Sequence, residues 1–286
     1  VKLKYYILEL RAYDWYKNLL VFAGLFFSKN LFNFHYYPKL LLSFFILSLI
    51  SSSGYIINDI RDAPFDALHP KKKDRPIASG KISKISALLF SVILLLSSLF
   101  ASYFVGVQFF ILALSLFMNS LIYSFFLKGI VWLDITSISL NYIIRSLAGC
   151  EAIGIYISPW LIMGVFYVAM LFALAKRREE LVILSNPSLH RESLKSYNLS
   201  TVDQGISIFS TLIIISYSLY TINSPYSNTL LFFTIPLVTL VVLKFVSISK
   251  DERKTGIIRK TVLNPIILIS LVVWVLVIFY SIYLRR

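Results

Sequence analysis

The sequence predicts an all-α polytopic membrane protein, on three observations. First, 58% of its 286 residues are hydrophobic, only 15% are charged, and the mean hydropathy is +0.77. A soluble core of this size cannot hide that much apolar surface, so lipid must act as solvent. Second, apolar runs approaching the roughly 20 residues that span a bilayer recur along the whole chain, too many for one to be a cleaved leader. Third, the basic residues fall on alternate loops, as the positive-inside rule requires.

The spans read as residues 17–34, 37–57, 84–105, 107–127, 130–150, 153–175, 204–223, 228–249 and 262–284, about nine helices. In the first, Lys17 and Lys29 bracket an apolar core, Leu19 to Phe27, that is too short to cross without tilting or snorkelling. Trp132 and Trp160 open two spans, where interfacial aromatics belong. Of the 28 Lys and Arg residues, 22 fall on one side of this arrangement; Lys29, Lys39, Arg285 and Arg286 fall on the other, and Arg145 and Lys244 lie within spans. The long polar loops are therefore expected in the cytoplasm, in the inner or plasma membrane of the cell. In a soluble protein the same basic surplus would suggest nucleic acid; distributed this way it sets topology, and no nucleic-acid partner is expected. Cys150 is alone, which excludes an intramolecular disulfide. Without an internal repeat or a low-complexity linker, residues 1–286 read as one integral-membrane domain.

The chemistry gathers after the second span, in Asn58 Asp59 Ile60 Arg61 Asp62 Ala63 Pro64 Phe65 Asp66. On a continuing helix Asp59, Asp62 and Asp66 share a face, where repulsion disfavours them unless a cation sits between. Oxygen ligands of this kind suit Mg²⁺, which bridges a few carboxylates to substrate phosphates. Pro64 opposes a continuous helix, because its ring clashes with the Ile60 carbonyl; the helix then kinks or ends there and Asp66 comes in from a turn. A solvated helix end is the plain alternative. Beyond it follow His69 Pro70 Lys71 Lys72 Lys73 Asp74 Arg75 Pro76 Ile77 Ala78 Ser79 Gly80. Bases within ten residues of the acids supply what a metal–diphosphate site needs for the outer phosphate oxygens. Lys71 to Lys73 also serve as topology-setting lysines.

In the fifth span Asp134, Asn141 and Arg145 are spaced by seven and four residues, which puts them on one helical face directed inward. A charge at mid-bilayer costs about 2.5–3.5 kcal/mol on insertion scales, so such residues usually mark a cavity. Pairing of Asp134 with Arg145 through other helices is the packing alternative. Lys176, Arg177 and Arg178 end the sixth span, with Glu180 a turn beyond; cations there complement the helix dipole and demand no ligand. Tyr123 is equally an interfacial tyrosine, and Lys17 equally a topology lysine.

The run Asn58 Asp59 xx Asp62 xxx Asp66, with Arg75 Pro76 Ile77 after it, resembles the first aspartate motif of the UbiA-type intramembrane prenyltransferase superfamily. Further details resemble one branch, the polyprenyl-phosphate phosphoribosyltransferases, typified by those acting on decaprenyl phosphate. These details are Trp15 Tyr16 Lys17 Asn18, His69 Pro70 Lys71, Tyr123 Ser124 with Lys128 and Asp134, Arg145 with Ala148 Gly149, and Lys176 Arg177 with Glu180 Leu181. The resemblance covers about the first two-thirds of the chain. It implies nine helices around a central cavity open to the cytoplasm, Mg²⁺ held by Asp59, Asp62 and Asp66, and transfer of 5-phosphoribose from phosphoribosyl diphosphate to a polyprenyl phosphate. It also implies substrate binding by Lys17, Asn58, Arg75, Tyr123, Lys128, Asp134, Arg145, Lys176 and Arg177.

Two departures matter. Prenyl-transferring relatives usually carry a second acidic pair spaced Asp xxx Asp, whereas here Asp134 is followed at that spacing by Ile138. Near the last two spans, where an Arg-Tyr pair and a later Asp are expected, stand Lys244 Phe245 and Asn264. Three other functions compete. A prenyltransferase would join a polyprenyl diphosphate to an aromatic or glycerol-type acceptor. A CDP-alcohol phosphotransferase would need Asp-Gly and Ala-Arg after the first acids, where Asp62 is followed by Ala63 Pro64. A transporter would bury Asp134 and Arg145 but leave the acid-then-base loop unexplained.

Overall fold

A computed structural model describes residues 2–68, 72–156, 158–183, 197–251 and 256–285, and every regular element among them is helical. His69, Pro70 and Lys71 lie outside the described residues, as do Arg191, Lys195, Arg253, Lys254 and Arg286 of the basic count. In chain order the elements are α1 (Lys2–Glu9), a 3₁₀ stretch (Ala12–Phe22) running into α2 (Ala23–Phe27), α3 (Tyr37–Asp66), α4 (Lys84–Val105) and α5 (Val107–Ile122). A π turn, Tyr123–Leu127, closes α5. Then come α6 (Leu133–Ile153), α7 (Pro159–Ile183), α8 (Leu199–Asn223), α9 (Thr229–Phe232), α10 (Ile235–Lys250), α11 (Ile257–Val262) and α12 (Pro265–Phe279).

Among the described residues, seven helical stretches are long and apolar enough to cross a membrane: Phe34–Asp66, Lys84–Val105, Val107–Leu127, Pro159–Ile183, Leu199–Asn223, Thr229–Lys250 and Pro265–Leu284. The protein is thus a multi-pass membrane protein. The two remaining places expected to span are helical too, but differ in kind. Around 17–34 the chain is a 3₁₀ stretch and a five-residue helix that ends before Lys29, itself left-handed at φ 62°. Around 130–150, α6 has 21 residues but is more polar, carrying Asp134, Asn141 and Arg145. The sixth span is displaced from 153–175 to Pro159–Ile183, because Gly154 turns left-handed at φ 67° after α6. Lys176, Arg177 and Arg178 consequently lie within α7, more than a turn before its end.

The chain forms two compact units, one of residues 1–126 with 144–156, the other of 127–143 with 157–286. In the first, α3 is the central element. Its buried face is rich in small residues, among them Ser48, Ser51, Ser52, Ser53 and Gly54, so its neighbours approach closely. Ser53 Oγ bonds Ser91 on α4 at 2.8 Å, and a Cβ at Gly54 would come within 3.3 Å of Ser120 on α5. Leu25, Leu47, Ile50, Phe109 and Leu116 fill the space around this contact.

The second unit packs α7 against α8 and α10 around Leu174, Val202, Ile206, Ile213, Val242 and Phe245. Here two residues of the departure near the C-terminus find structural roles. Phe245 is a core side chain, and Asn264 caps α12 by accepting from the Ile266 and Ile267 amides at 3.1 and 3.3 Å.

Candidate active site

α3 continues through Pro64 to Asp66, against the expectation that the helix kinks or ends at the proline. Proline removes one amide donor, and so close to a helix end only one or two turns depend on it. Ala67 and Leu68 still donate to Ala63 and Phe65 at 3.0 and 3.2 Å, holding the last turn together. Asp66 therefore projects from the helix itself. Positions seven apart on a helix are offset by only about 20°, whereas positions three apart are offset by about 60°. Asp59 and Asp66 accordingly meet at one point, and Asp62 accepts from Asn58 Nδ2 at 3.1 Å. Asp59 and Asp66 are the two that share a cation, Arg75.

The point where the pair meets is held by Arg75. Its Nη1 donates to Asp66 Oδ2 at 2.6 Å and to Asp59 Oδ1 at 3.1 Å. Arg75 is placed by the turn that follows, in which Ser79 N and Oγ both reach the Arg75 carbonyl at 2.8 Å and Gly80 adopts φ 73°. Lys72 Nζ lies 3.5 Å from Asp66 Oδ1.

Two residues that sequence reasoning did not select complete the cluster. The Arg11 guanidinium grips both carboxylate oxygens of Asp59 and lies 5.5 Å over the Tyr55 ring. Glu9 is buried and accepts the Ile77 amide at 3.2 Å, tying the end of α1 to the Arg75 turn. Burial, reinforced by the charge on Asp59, pushes the Glu9 carboxyl up to about 7. Lys17, paired with Asp14, sits over the same Tyr55 ring at 5.8 Å.

Arg145 lies in the same unit but in a different network. It donates from Nε to Asn18 Oδ1 at 2.6 Å and from Nη2 to Ser51 at 3.3 Å, and Asn18 in turn donates to Ser48. One turn further on, a Cβ on Gly149 would stand 2.0 Å from the Val21 carbonyl oxygen. The Arg145…Ala148 Gly149 pattern thus combines a buried polar anchor with a close helix contact.

The second unit holds its own buried cluster. Asp134 Oδ2 accepts from Arg177 Nε at 3.1 Å; Asp134 Oδ1 accepts from the Tyr197 hydroxyl at 2.7 Å and from the Ile135 amide at 2.8 Å. Arg177 also reaches Glu180 at 2.7 Å, and the Trp132 amide donates to Tyr197 at 3.0 Å. Asp134 is therefore partnered by Arg177. Tyr123 and Lys128 are half-buried at the turn between α5 and α6, and Lys176 is exposed on α7.

The donor chemistry of the first cluster suits a hard divalent ion. Among the described residues no three His, Cys, Asp or Glu side chains gather to hold a metal. Asp59 and Asp66 do converge, on a point that already carries a cationic nitrogen. Asn58 Oδ1, next to Asp59 in the chain, is buried with no hydrogen-bond partner among the described residues. An oxygen-only set of this size matches Mg²⁺, which binds through one or two carboxylates and completes its shell with water and substrate phosphates.

Fold and site define an all-helical, multi-pass membrane protein with a buried acid–guanidinium cluster at the end of a spanning helix. The UbiA prenyltransferase family matches residues 19–256, and the chain belongs to that family of membrane transferases. A decaprenyl-phosphate phosphoribosyltransferase of Mycolicibacterium smegmatis is 30% identical over 230 residues, 79% of this chain and 72% of that protein. Protein y4nM of Sinorhizobium fredii is 34% identical over 177 residues; these cover 62% of this chain but 34% of that longer protein. Among solved structures, a UbiA homolog from Archaeoglobus fulgidus bound to DMAPP and Mg²⁺ superposes with a TM-score of 0.73 at 19% identity, over 96% of this chain and 97% of that one. At that identity the likeness is one of fold.

Proposed function

We propose that the chain is a Mg²⁺-dependent glycosyltransferase that moves 5-phosphoribose from phosphoribosyl diphosphate to a polyprenyl phosphate, acting as one domain over residues 1–286. The reading carries most weight from the Asp59–Asp66 pair with Arg75 and Lys72 against it: two buried acids for a metal, with cations beside them for a diphosphate. The choice of donor is supported by the phosphoribosyltransferase relative and by the absence of a second acid four residues after Asp134. A prenyl diphosphate would lose part of its second metal site there.

In this reading Asp59 and Asp66 hold the ion, with Asp62 and Asn58 beside them. Bound Mg²⁺ supplies charge neutralisation on the departing diphosphate. Arg75 and Lys72 bind outer phosphate oxygens. The bond from the anomeric carbon to the diphosphate breaks as an oxygen of the polyprenyl phosphate bonds to that carbon, and diphosphate leaves. The acceptor phosphate is already ionised near neutral pH and needs no general base. Lys17 holds the lipid phosphate, and Tyr123 and Arg145 of the same unit contribute to the remaining substrate surface. The end of α3 and the Arg75 turn face the cytoplasm at the plasma membrane.

The second reading is transfer of a prenyl group from its diphosphate, supported by the ligand of the Archaeoglobus homolog. Membranes containing the chain, incubated separately with labelled phosphoribosyl diphosphate and with labelled prenyl diphosphates, distinguish the two. Label from the first pool in a lipid phosphate is expected; label only from the second overturns the proposal.

A further inference from the structure

Exposure rises outward across the cluster: the side chains of Asp59 and Asp66 are 2% and 5% exposed, Arg11 and Arg75 14% and 28%, and Lys72 40%. Whatever reaches the acids must first pass the cations. The acids are also already neutralised. Arg11 grips both oxygens of Asp59, and Arg75 spans from Asp59 to Asp66, so the place between the carboxylates is filled by protein charge. The two guanidinium charges match the two carboxylate charges, so the cluster is balanced without an ion. Arg11 is, in addition, delivered from a different part of the chain, in a left-handed conformation at φ 49° between α1 and the 3₁₀ stretch.

We infer that Arg11 and Arg75 are stand-in cations that leave Asp59 and Asp66 for the phosphate oxygens of an entering metal–diphosphate, which makes Arg11 a diphosphate-binding residue. This rests on the function proposed above. A divalent ion arriving alone adds positive charge to a balanced cluster and must displace a guanidinium that then has no anion to go to. Arriving with a diphosphate, it offers each displaced guanidinium a bidentate partner of the kind it prefers. Metal and diphosphate therefore bind together, and each is weak without the other. The planar fork of Arg11 serves both partners in turn, a carboxylate before loading and a phosphate after it.

The test uses the full chain purified in detergent, Mn²⁺ as the spectroscopic substitute for Mg²⁺, and inorganic pyrophosphate. Electron paramagnetic resonance measures Mn²⁺ binding alone, and calorimetry measures pyrophosphate binding at saturating Mn²⁺. Arg11→Gln is expected to move the two in opposite directions. Mn²⁺ alone binds about tenfold tighter, because a competing internal charge is gone. Pyrophosphate binds about tenfold or more weaker, because a charge-assisted bond is lost. Arg11→Lys, which keeps the charge and loses the fork, is expected to leave Mn²⁺ binding unchanged and to weaken pyrophosphate; it decides the matter if the glutamine variant fails to fold. Parallel losses in both affinities, or unchanged pyrophosphate binding, overturn the inference. A wild-type chain that holds neither Mn²⁺ nor Mn²⁺ with pyrophosphate instead rejects the functional reading itself.

Discussion

Glu9 sits where a carboxylate is least welcome, buried beside Asp59, and its carboxyl is raised to about 7 from an ordinary 4.5. In the folded protein it keeps a proton that the unfolded chain gives up, so it favours the folded state fully below about pH 4.5. That contribution is lost as pH rises through 7. Glu9→Gln keeps the acceptor for the Ile77 amide and removes the titration. Thermal unfolding in detergent between pH 5 and 8 is expected to fall with pH in the native chain and to be flatter in the variant; equal slopes would contradict this. Asp59, Asp62, Asp66 and Arg75 were legible in the sequence because they lie within 17 residues of one another and follow helical spacing. Glu9 and Arg11 were not, since nothing near the N-terminus signals that it folds back on a residue 48 positions away. Asp134 and Arg177 could each be singled out, but their pairing is tertiary and could not be read.

At the scale of elements, the small residues of α3 and the glycine of α6 do what composition alone suggests only vaguely: they set how closely helices approach. Gly149→Ala tests this directly. Its new methyl would stand 2.0 Å from the Val21 carbonyl oxygen, so α6 and the 3₁₀ stretch must separate. A loss of about 1–3 kcal/mol in unfolding free energy is expected, the range of overpacked sites. Because Arg145 reaches Asn18 across the same contact, Gly149→Ala is also expected to weaken that anchor. An unchanged unfolding midpoint would show that the contact is slack. Element boundaries were the least readable feature. Pro64 weighs against helix in any local reckoning, yet its missing donor costs little at a helix end, and α3 runs through it. Conversely, α7 starts late because Gly154 breaks the chain after α6, a turn that the apolar run from 153 conceals.

Across the whole molecule, hydropathy and basic-loop asymmetry carry the architecture, and the multi-pass helical fold follows from them. Two places expected to span, residues 17–34 and 130–150, are the ones where polar side chains interrupt the apolar pattern: Asn18 there, Asp134 and Arg145 here. Sidedness is what the basic loops predict. Ser79 is exposed between α3 and α4 and Cys150 is buried, so a Ser79→Cys variant offers one reactive thiol. An impermeant maleimide is expected to label it in inverted membrane vesicles and not in intact spheroplasts; the reverse pattern would place the candidate site on the outer face.

The central claim is that Asp59 and Asp66 support transfer of phosphoribose to a membrane lipid. The most direct measurement is mass spectrometry of lipids extracted after purified chain is incubated with Mg²⁺, phosphoribosyl diphosphate and a polyprenyl phosphate. A polyprenyl phosphate heavier by one phosphoribosyl group is expected from the native chain, and none from Asp59→Asn or Asp66→Asn variants that still fold. The same product from those variants, or an unmodified polyprenyl phosphate with the native chain, would contradict it.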